Sequence, residues 1–451
     1  MPADYLPARR RRIAAALAKK SRELAGDGAP LPIVLVGAGE MIPVAGAHDR
    51  TYPYIAHSHY YYLAEQECPG GVLAIDLEEA EAENPWHAFA PEVTDARRTW
   101  EGDVEWEGRP LAEFAAWLAP RVGAGRGRAI AALGNPPAGI NVSHGVDGPL
   151  AAALDDAFLH ARRVLDDREI DLMQRAAEAT AHGHAWAREH ITSGTADGVT
   201  ERAIQIELEA EFFRGGGDAT AYDTIVGCGA NAAVLHFFPS ERVVHRGECV
   251  LIDAGAQVRR YAADVTRTWP VGEPTSVQRD LINIVCDAEE SAIAMCVPGV
   301  EWHDVHRHAS ERVLEGLAGL GALKGDPAEL VERGIAALFF PHGVGHMIGL
   351  GVRGAGGRQP GRAPRPGPGE VRVRVDMPLA AGHGFTVEPG LYFIPQLIDP
   401  DATRQRFADA VNWSTIDALR TEIQGIRIED DIVIREGRPE VLTSSIEKRP
   451  G

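Results

Sequence analysis

Positive charge is scarce in this chain. Against 65 acidic residues stand 45 lysines and arginines, a formal net charge of −20 at pH 7. That balance argues against nucleic acid or an anionic membrane surface as the main partner. Long apolar runs are missing too: nothing approaches the ~18 uninterrupted apolar residues of a bilayer span. Cysteine is thin and scattered. The five cysteines, Cys68, Cys228, Cys249, Cys286 and Cys296, are odd in number and share no CxxC spacing. They read as reduced, mostly buried thiols of a cytoplasmic protein, not as a disulfide frame or zinc knuckle. Arg9 to Arg12 form a basic run, but no apolar stretch follows that would make a secretory signal. The next residues, IAAALAKKSREL, read as a solvated surface helix.

What is present is a globular composition, 45% hydrophobic and 24% charged over 451 residues, too long for one ordinary core. In the first third, LPIVLVG (31–37), GGVLAID (70–76) and RAIAALG (128–134) are apolar runs expected as strands, and LAEFAAWLAPRV (111–122) has helical spacing. HSHYYYL (57–63) reads as a strand with amphipathic rings, or as an aromatic wall reaching towards a pocket. Around residue 160 the character changes. A long helical pattern carries Ile170, Leu172, Met173, Ala176 and Ala177, and a second follows at VTERAIQIELEAEFFR (199–214). The expected fold is α/β (α+β), with an N-terminal α/β domain at 1–162 and a second domain at 163–451. Residues 351–375, rich in glycine, proline and arginine, read as a long mobile loop.

Carboxylates and histidine interrupt apolar strands in four places. In CVLIDAGAQVRRYAADVTRTW (249–269), a hairpin turning near 257–260 sets Asp253 directly opposite Asp264, with Cβ atoms about 5 Å apart. Two carboxylates that close repel unless a proton or a metal lies between them. GFTVEPGLYF (384–393) ends its strand at Glu388. In GIRIEDDIVI (425–434), Ile426, Ile428, Ile432 and Ile434 form one face and Arg427, Glu429 and Asp431 the other. Taken alone, Arg427 and Glu429 could be a plain ion pair. The fourth place is PHGVGHMIGLGVRG (341–354), where His342 and His346 stand four apart among glycines that exclude a helical HExxH site. Asp253, Asp264, His346, Glu388 and Glu429 together are too anionic to bury without cations. Such an oxygen-rich set suits a pair of divalent ions, Mn²⁺ first, with Co²⁺, Fe²⁺ or Zn²⁺ as workable substitutes.

LIDAGA…YAADVTRTW, PHGVGH, TVEPGLYF and GIRIEDDIVI resemble the motifs of the dimetal "pita-bread" peptidases, which include prolidases, aminopeptidase P and methionine aminopeptidases. The resemblance covers most of residues 160–451 and implies a pita-bread catalytic domain. It places Asp253, Asp264, His346, Glu388 and Glu429, in order, on the five metal-ligand positions. It further implies that His236 contacts substrate and supports the tetrahedral intermediate, that Glu388 relays a proton to the leaving nitrogen, and that Arg427 orients Glu429. Without that context, His236 in AAVLHFF reads as a satisfied core residue. His342 is expected on the pocket wall and not as a ligand.

The long N-terminal domain and EPGLYFIPQL point to the proline-directed branch, and most closely to Xaa-Pro dipeptidase. The implied reaction is hydrolysis of the bond before proline by a water bridged between two divalent ions, in a homodimer whose N-terminal domain serves substrate access and dimerisation. The alternatives are aminopeptidase P acting on longer peptides, or a silent member used for binding. Side activity on phosphotriesters is a further expectation for so compact a site. One departure stands out: where the branch has a histidine followed by an aspartate, this chain has Arg353 and Gly354. Arg353 can supply the missing donor itself, another loop arginine can replace it, or activity falls. Arg372 and Arg374 are the candidates by position to hold a substrate carboxylate.

Overall fold

In the computed structural model, which describes residues 5–26, 28–46, 50–122, 128–135, 147–363 and 365–450, the apolar runs of the first third form one mixed sheet. Its strands are β1 (Ile33–Ala38), β2 (Val72–Asp76), β3 (Trp86–Ala90), β4 (Arg109–Pro110) and β5 (Ile130–Asn135). They lie in the order β4-β3-β2-β1-β5, with β1 parallel to β5 and antiparallel to β2. Ile33, Leu35, Val72 and Ala74 pack against Phe114 and Trp117 of the helix Phe114–Val122. Contacts divide the chain into two compact units, Met1–Arg162 and Arg163–Gly451.

Two local expectations fail in the first unit. HSHYYYL falls in the helix Ser58–Ala64, not in a strand; His57 accepts from the His59 amide, and Glu65 ends the helix at φ 49. Tyr60, Tyr61 and Tyr62 are buried, so these rings fill a core. Nor is the basic run solvated throughout. The helix Tyr5–Ala25 buries Ile13, Ala14, Leu17 and Ala18, and with them Arg9. Arg9 pairs with Glu65 at 2.8 Å, Arg10 Nε donates to the Leu63 carbonyl at 2.8 Å, and Arg12 donates to the Tyr62 hydroxyl. A guanidinium is buried where acceptors match its fixed fork, and these acceptors lie some 50 residues along the chain.

The second unit begins with the helix Asp167–Thr192, whose start is fixed by a capping box between Asp166 and Glu169. Leu172, Met173, Ala176 and Ala177 are buried on it. With Glu201–Arg214 it covers one set of strands, while Ser276–Met295 and Trp302–Gly319 pack over another. The strands are short: β6 (Ala219–Thr220), β7 (Ile225–Cys228), β8 (Cys249–Asp253), β9 (Ala256–Val258), β10 (Tyr261–Ala262), β11 (Thr266–Pro270), β12 (Gly384–Val387), β13 (Gly390–Tyr392), β14 (Gly425–Arg427), β15 (Asp430–Val433) and β16 (Glu440–Val441). Strand β8 is central in the sheet β11-β8-β7. Its residues alternate between cores: Val250 and Ile252 join the helices Asp167–Thr192 and Glu201–Arg214, while Leu251 packs with Tyr392 on the opposite face. Asp253 continues the Leu251 face.

Register corrects the expected hairpin. Asp253 pairs with Thr266, not with Asp264, and Val258 pairs with Tyr261 across a turn at Arg259 and Arg260. Both turn residues have positive φ, 47° and 68°, as a two-residue hairpin turn requires. Such turns are normally marked by asparagine or glycine, which are absent here. Asp264 sits two residues before Thr266, on the same face as Asp253. The isoleucines of GIRIEDDIVI do not share one core either. Ile426 and Ile428 enter one cluster, Ile432 and Ile434 another, because the strand breaks between β14 and β15.

Among the described residues of 351–375 there is no helix or strand beyond a short 3₁₀ turn at Pro368–Glu370. The loop is nonetheless fastened: Arg362 and Arg365 both pair with Glu301 and Asp376, at 2.7–3.0 Å.

Candidate active site

One break in pairing explains the centre of the site. The register of β12 with β15 continues unchanged into that of β13 with β14. Glu388 and Glu429 occupy the gap between the two ladders and stand opposite one another. Thr266 meets the same gap from β11, pairing with Asp253 on one side and bridging Glu429 on the other. The segment 344–348 lies along β12, with the Thr386 amide donating to the His346 carbonyl at 2.9 Å and the Glu388 amide to Val344 at 2.8 Å. A Cβ on Gly345 would sit 2.1 Å from the Thr386 carbonyl oxygen, so only glycine lets this segment come so close. Four distant stretches of sequence therefore meet at one point.

There they line a cavity of about 410 Å³ that includes Asp253, Asp264, His346, Glu388 and Glu429. Ligand atoms of Asp264, His346 and Glu429 lie within 4.8 Å of one another, and all three residues are buried. His346 Nε2 is 3.3 Å from Asp264 Oδ2 and 3.9 Å from Glu388 Oε1. Its Nδ1 donates to the Met347 carbonyl at 2.9 Å, which orients the ring and leaves Nε2 to face the carboxylates. Asp253 is held apart from that trio by two partners: Tyr222 donates to its Oδ1 at 2.7 Å and Arg427 Nη2 to its Oδ2 at 2.6 Å.

The electrostatics fit cations at this place. Burial pushes Glu388 up to about 7, with the charges of Asp264 and Asp253 adding to it against His346 and Arg427. Burial, then Asp264 and Glu388, raises Glu429 well above the carboxylate range. Burial raises Asp253 as well, with Arg427 opposing and Asp264 adding. Carboxylates so crowded resist full ionisation without positive charge between them. The donors are oxygen with a single imidazole, a set suited to hard or borderline divalent ions.

The remaining residues sort by their contacts. Arg427 reaches Glu429 only through a relay: its Nε donates to Thr266 Oγ1 at 3.1 Å, and that hydroxyl donates to Glu429 Oε2 at 2.6 Å. Its Nη1 donates to the Tyr392 hydroxyl at 2.7 Å, and Tyr392 lies 3.0 Å from His342 Nε2. His342 Nδ1 faces the Gly343 carbonyl at 3.0 Å and Glu388 Oε2 at 3.7 Å. Burial, then Arg427, holds His342 down at about 3, so its ring is neutral. It is a wall residue tied to Tyr392. His236 lines the cavity and is exposed, which overturns its reading as a core residue. Burial, Arg427 and Arg353 depress its pKa. Arg353 and Arg374 line the cavity from the loop; Arg372 is exposed and does not. Tyr222, Thr266 and Tyr392 carry much of this network without any anomaly in sequence, since tyrosines and threonines on or beside strands are ordinary. Asp431, whose Oδ2 accepts from the Asp264 amide at 2.9 Å, was visible only as a member of a face.

Residues 171–436 match the model of Metallopeptidase family M24. A probable Xaa-Pro aminopeptidase of Aspergillus fumigatus is 30% identical over 424 residues, covering 88% of this chain and 87% of that protein. The Xaa-Pro aminopeptidase of Escherichia coli is 36% identical over 283 residues, covering 62% of this chain and 56% of that one. Among solved structures, aminopeptidase PepP of Pseudomonas aeruginosa superposes with a TM-score of 0.73 at 25% identity, covering 96% of each chain. Zn-substituted Escherichia coli aminopeptidase P in complex with product gives 0.69 at 26% identity, covering 97% of this chain and 96% of that one. The chain thus has the fold of the aminopeptidase P structures, the pita-bread fold, and the protein belongs to metallopeptidase family M24.

Proposed function

We propose that the protein is a dimetal Xaa-Pro peptidase that hydrolyses the bond preceding proline and releases the N-terminal residue. The observation that carries this is the meeting of Asp253, Asp264, His346, Glu388 and Glu429 around one cavity, with Asp264, His346 and Glu429 buried. These five would hold two divalent ions, Mn²⁺ by the hardness of the donors. Such ions, when bound, supply hydroxide at neutral pH and polarise the scissile carbonyl. The chain's own residues do the rest. Glu388, raised by burial, takes up a proton and delivers it to the leaving proline nitrogen. His236 stands exposed at the cavity beside Phe237 and Phe238, where it donates to the carbonyl oxygen as charge develops. Leu235, Phe237 and Ile225 supply an apolar wall for a proline ring.

Relatives named Xaa-Pro aminopeptidase support peptides longer than two residues. Arg374 supports dipeptides as a second reading. It lines the cavity beside Arg353, while Arg362 and Arg365 are already committed to Glu301 and Asp376. A guanidinium there suits the C-terminal carboxylate of Xaa-Pro. Mn²⁺-loaded protein should cleave both Ala-Pro-Ala and Ala-Pro; a strong preference for the tripeptide removes the dipeptide reading, and cleavage of neither removes the proposal. The homodimer implied by the resemblance belongs to the same proposal, and a monomeric mass by light scattering rules it out. Paraoxon turnover by the same preparation tests the phosphotriester activity.

A further inference from the structure

The segment 446–449 reaches back to the chain around Glu429, just before β15. Arg267, on β11, is fully buried and every one of its nitrogens is engaged. Nη1 donates to the Thr266 and Glu429 carbonyls at 3.0 and 2.7 Å, Nε to the Glu447 carbonyl at 2.8 Å, and Nη2 to the Ile446 carbonyl and Asp430 Oδ1, each at 2.7 Å. Lys448 Nζ lies 2.7 Å from Asp430 Oδ2 and donates to Glu289 Oε2 at 2.8 Å. The Thr443 hydroxyl donates to Asp430 Oδ1 at 2.6 Å. Arg449 fastens the tail further, to Asn283, Asp287 and Glu290 of the helix Ser276–Met295.

The side chains of Arg267, Asp430 and Glu289 are 0% exposed, and that of Lys448 only 20%. None of them lines the cavity, so none is placed to touch substrate. A buried charge cluster is a poor source of net stability, because apolar packing of equal volume serves as well. What it supplies is fixed geometry, and here that geometry converges on Glu429. Arg267 grips the Glu429 carbonyl directly. It also grips the carbonyl of Thr266, whose hydroxyl holds the Glu429 carboxylate. Both ends of the residue are therefore set through one guanidinium, and that guanidinium is set by the tail.

We propose that Ile446–Arg449 is a positioning latch, in which Lys448 and the carbonyls of Ile446 and Glu447 hold Arg267 and Asp430 so that Glu429 is pre-set to receive a divalent cation. The latch rests on the reading of Glu429 as a ligand. Lys448→Met removes the cation while keeping much of the side chain's length. In the full chain, calorimetric titration should show Mn²⁺ affinity weakened about 10-fold or more, the scale seen when outer partners of metal ligands are lost. Lys448→Arg should recover most of that loss. At saturating Mn²⁺ the KM for Ala-Pro-Ala should stay within about twofold, because substrate contacts are untouched. If Lys448→Met does not fold, Glu289→Gln combined with Lys448→Met removes the carboxylate left without its cation and carries the same titration. Wild-type Mn²⁺ affinity in either variant overturns the latch, including the case where only the melting temperature falls. A wild-type chain that takes up no Mn²⁺ removes the ligand reading and the latch with it, so the two failures are distinguishable.

Discussion

Arg353 and Gly354 stand where the resemblance implies a histidine and an aspartate, and the backbone at Gly354 favours glycine. Gly354 has φ +53°, and a Cβ there would lie 3.0 Å from the Ile348 amide nitrogen. Restoring aspartate at 354 should therefore cost about 1 kcal/mol or more in denaturant unfolding, whereas the exposed Arg353→His should leave stability within about 0.5 kcal/mol. His236→Ala should reduce kcat for Ala-Pro-Ala by about 10²-fold or more, the effect of losing one oxyanion donor. Because His236 is exposed, its melting temperature should hardly move; equal loss of stability would mark it as structural. The candidate ligands were legible because a carboxylate at the end of an apolar strand is an anomaly. Tyr222 and Thr266 were not, because a tyrosine or threonine in a strand-rich region is what packing alone would select.

Elements were legible where local chemistry decides them. The apolar stripe of the helix Asp167–Thr192 needed nothing distant. Ser58–Ala64 was misread because its rings are packed from outside, by partners such as Phe158, whose ring centroid is 6.2 Å from that of Tyr62. The β8–β11 hairpin slipped by two residues because Arg259 and Arg260 take a turn conformation their identity does not advertise. One element carries a pH prediction. His306 on the helix Trp302–Gly319 is fully buried against Phe340, and among the described residues neither ring nitrogen has a hydrogen-bond partner. Burial, with His303 and Arg307 adding, holds it down at about 3. Its folded pKa lies below the unfolded value of about 6.5, so the unfolded state binds the extra proton. The stability it contributes is present above pH 6.5 and is lost as pH falls towards 3. Between pH 7 and pH 5 the loss should reach up to about 2 kcal/mol by denaturant unfolding. His306→Phe should flatten that slope; an unchanged slope would assign it elsewhere.

For the whole molecule, the net charge of −20 and the carboxylate cluster make the same demand for cations. Four carboxylates and one imidazole converging on one cavity are a liability in the metal-free chain. Mn²⁺ at 100 times its dissociation constant should add about 2.7 kcal/mol per site to stability, so chelator-treated protein should melt earlier and recover on adding Mn²⁺. Glu429→Gln, which removes one of the raised carboxylates, should melt later than wild type without metal and gain less from Mn²⁺. A change in pattern around residue 160 is legible in the sequence, whereas the latch of Ile446–Arg449 on Arg267 is not. Its contacts span about 180 residues, and nothing in EKRP hints at a half-buried lysine. The most direct test of the central claim is metal content measured on the same sample that is assayed for Ala-Pro-Ala cleavage. Activity that rises with Mn²⁺ occupancy towards two ions per chain is the predicted result. Full cleavage by protein whose metal content is near zero would contradict it.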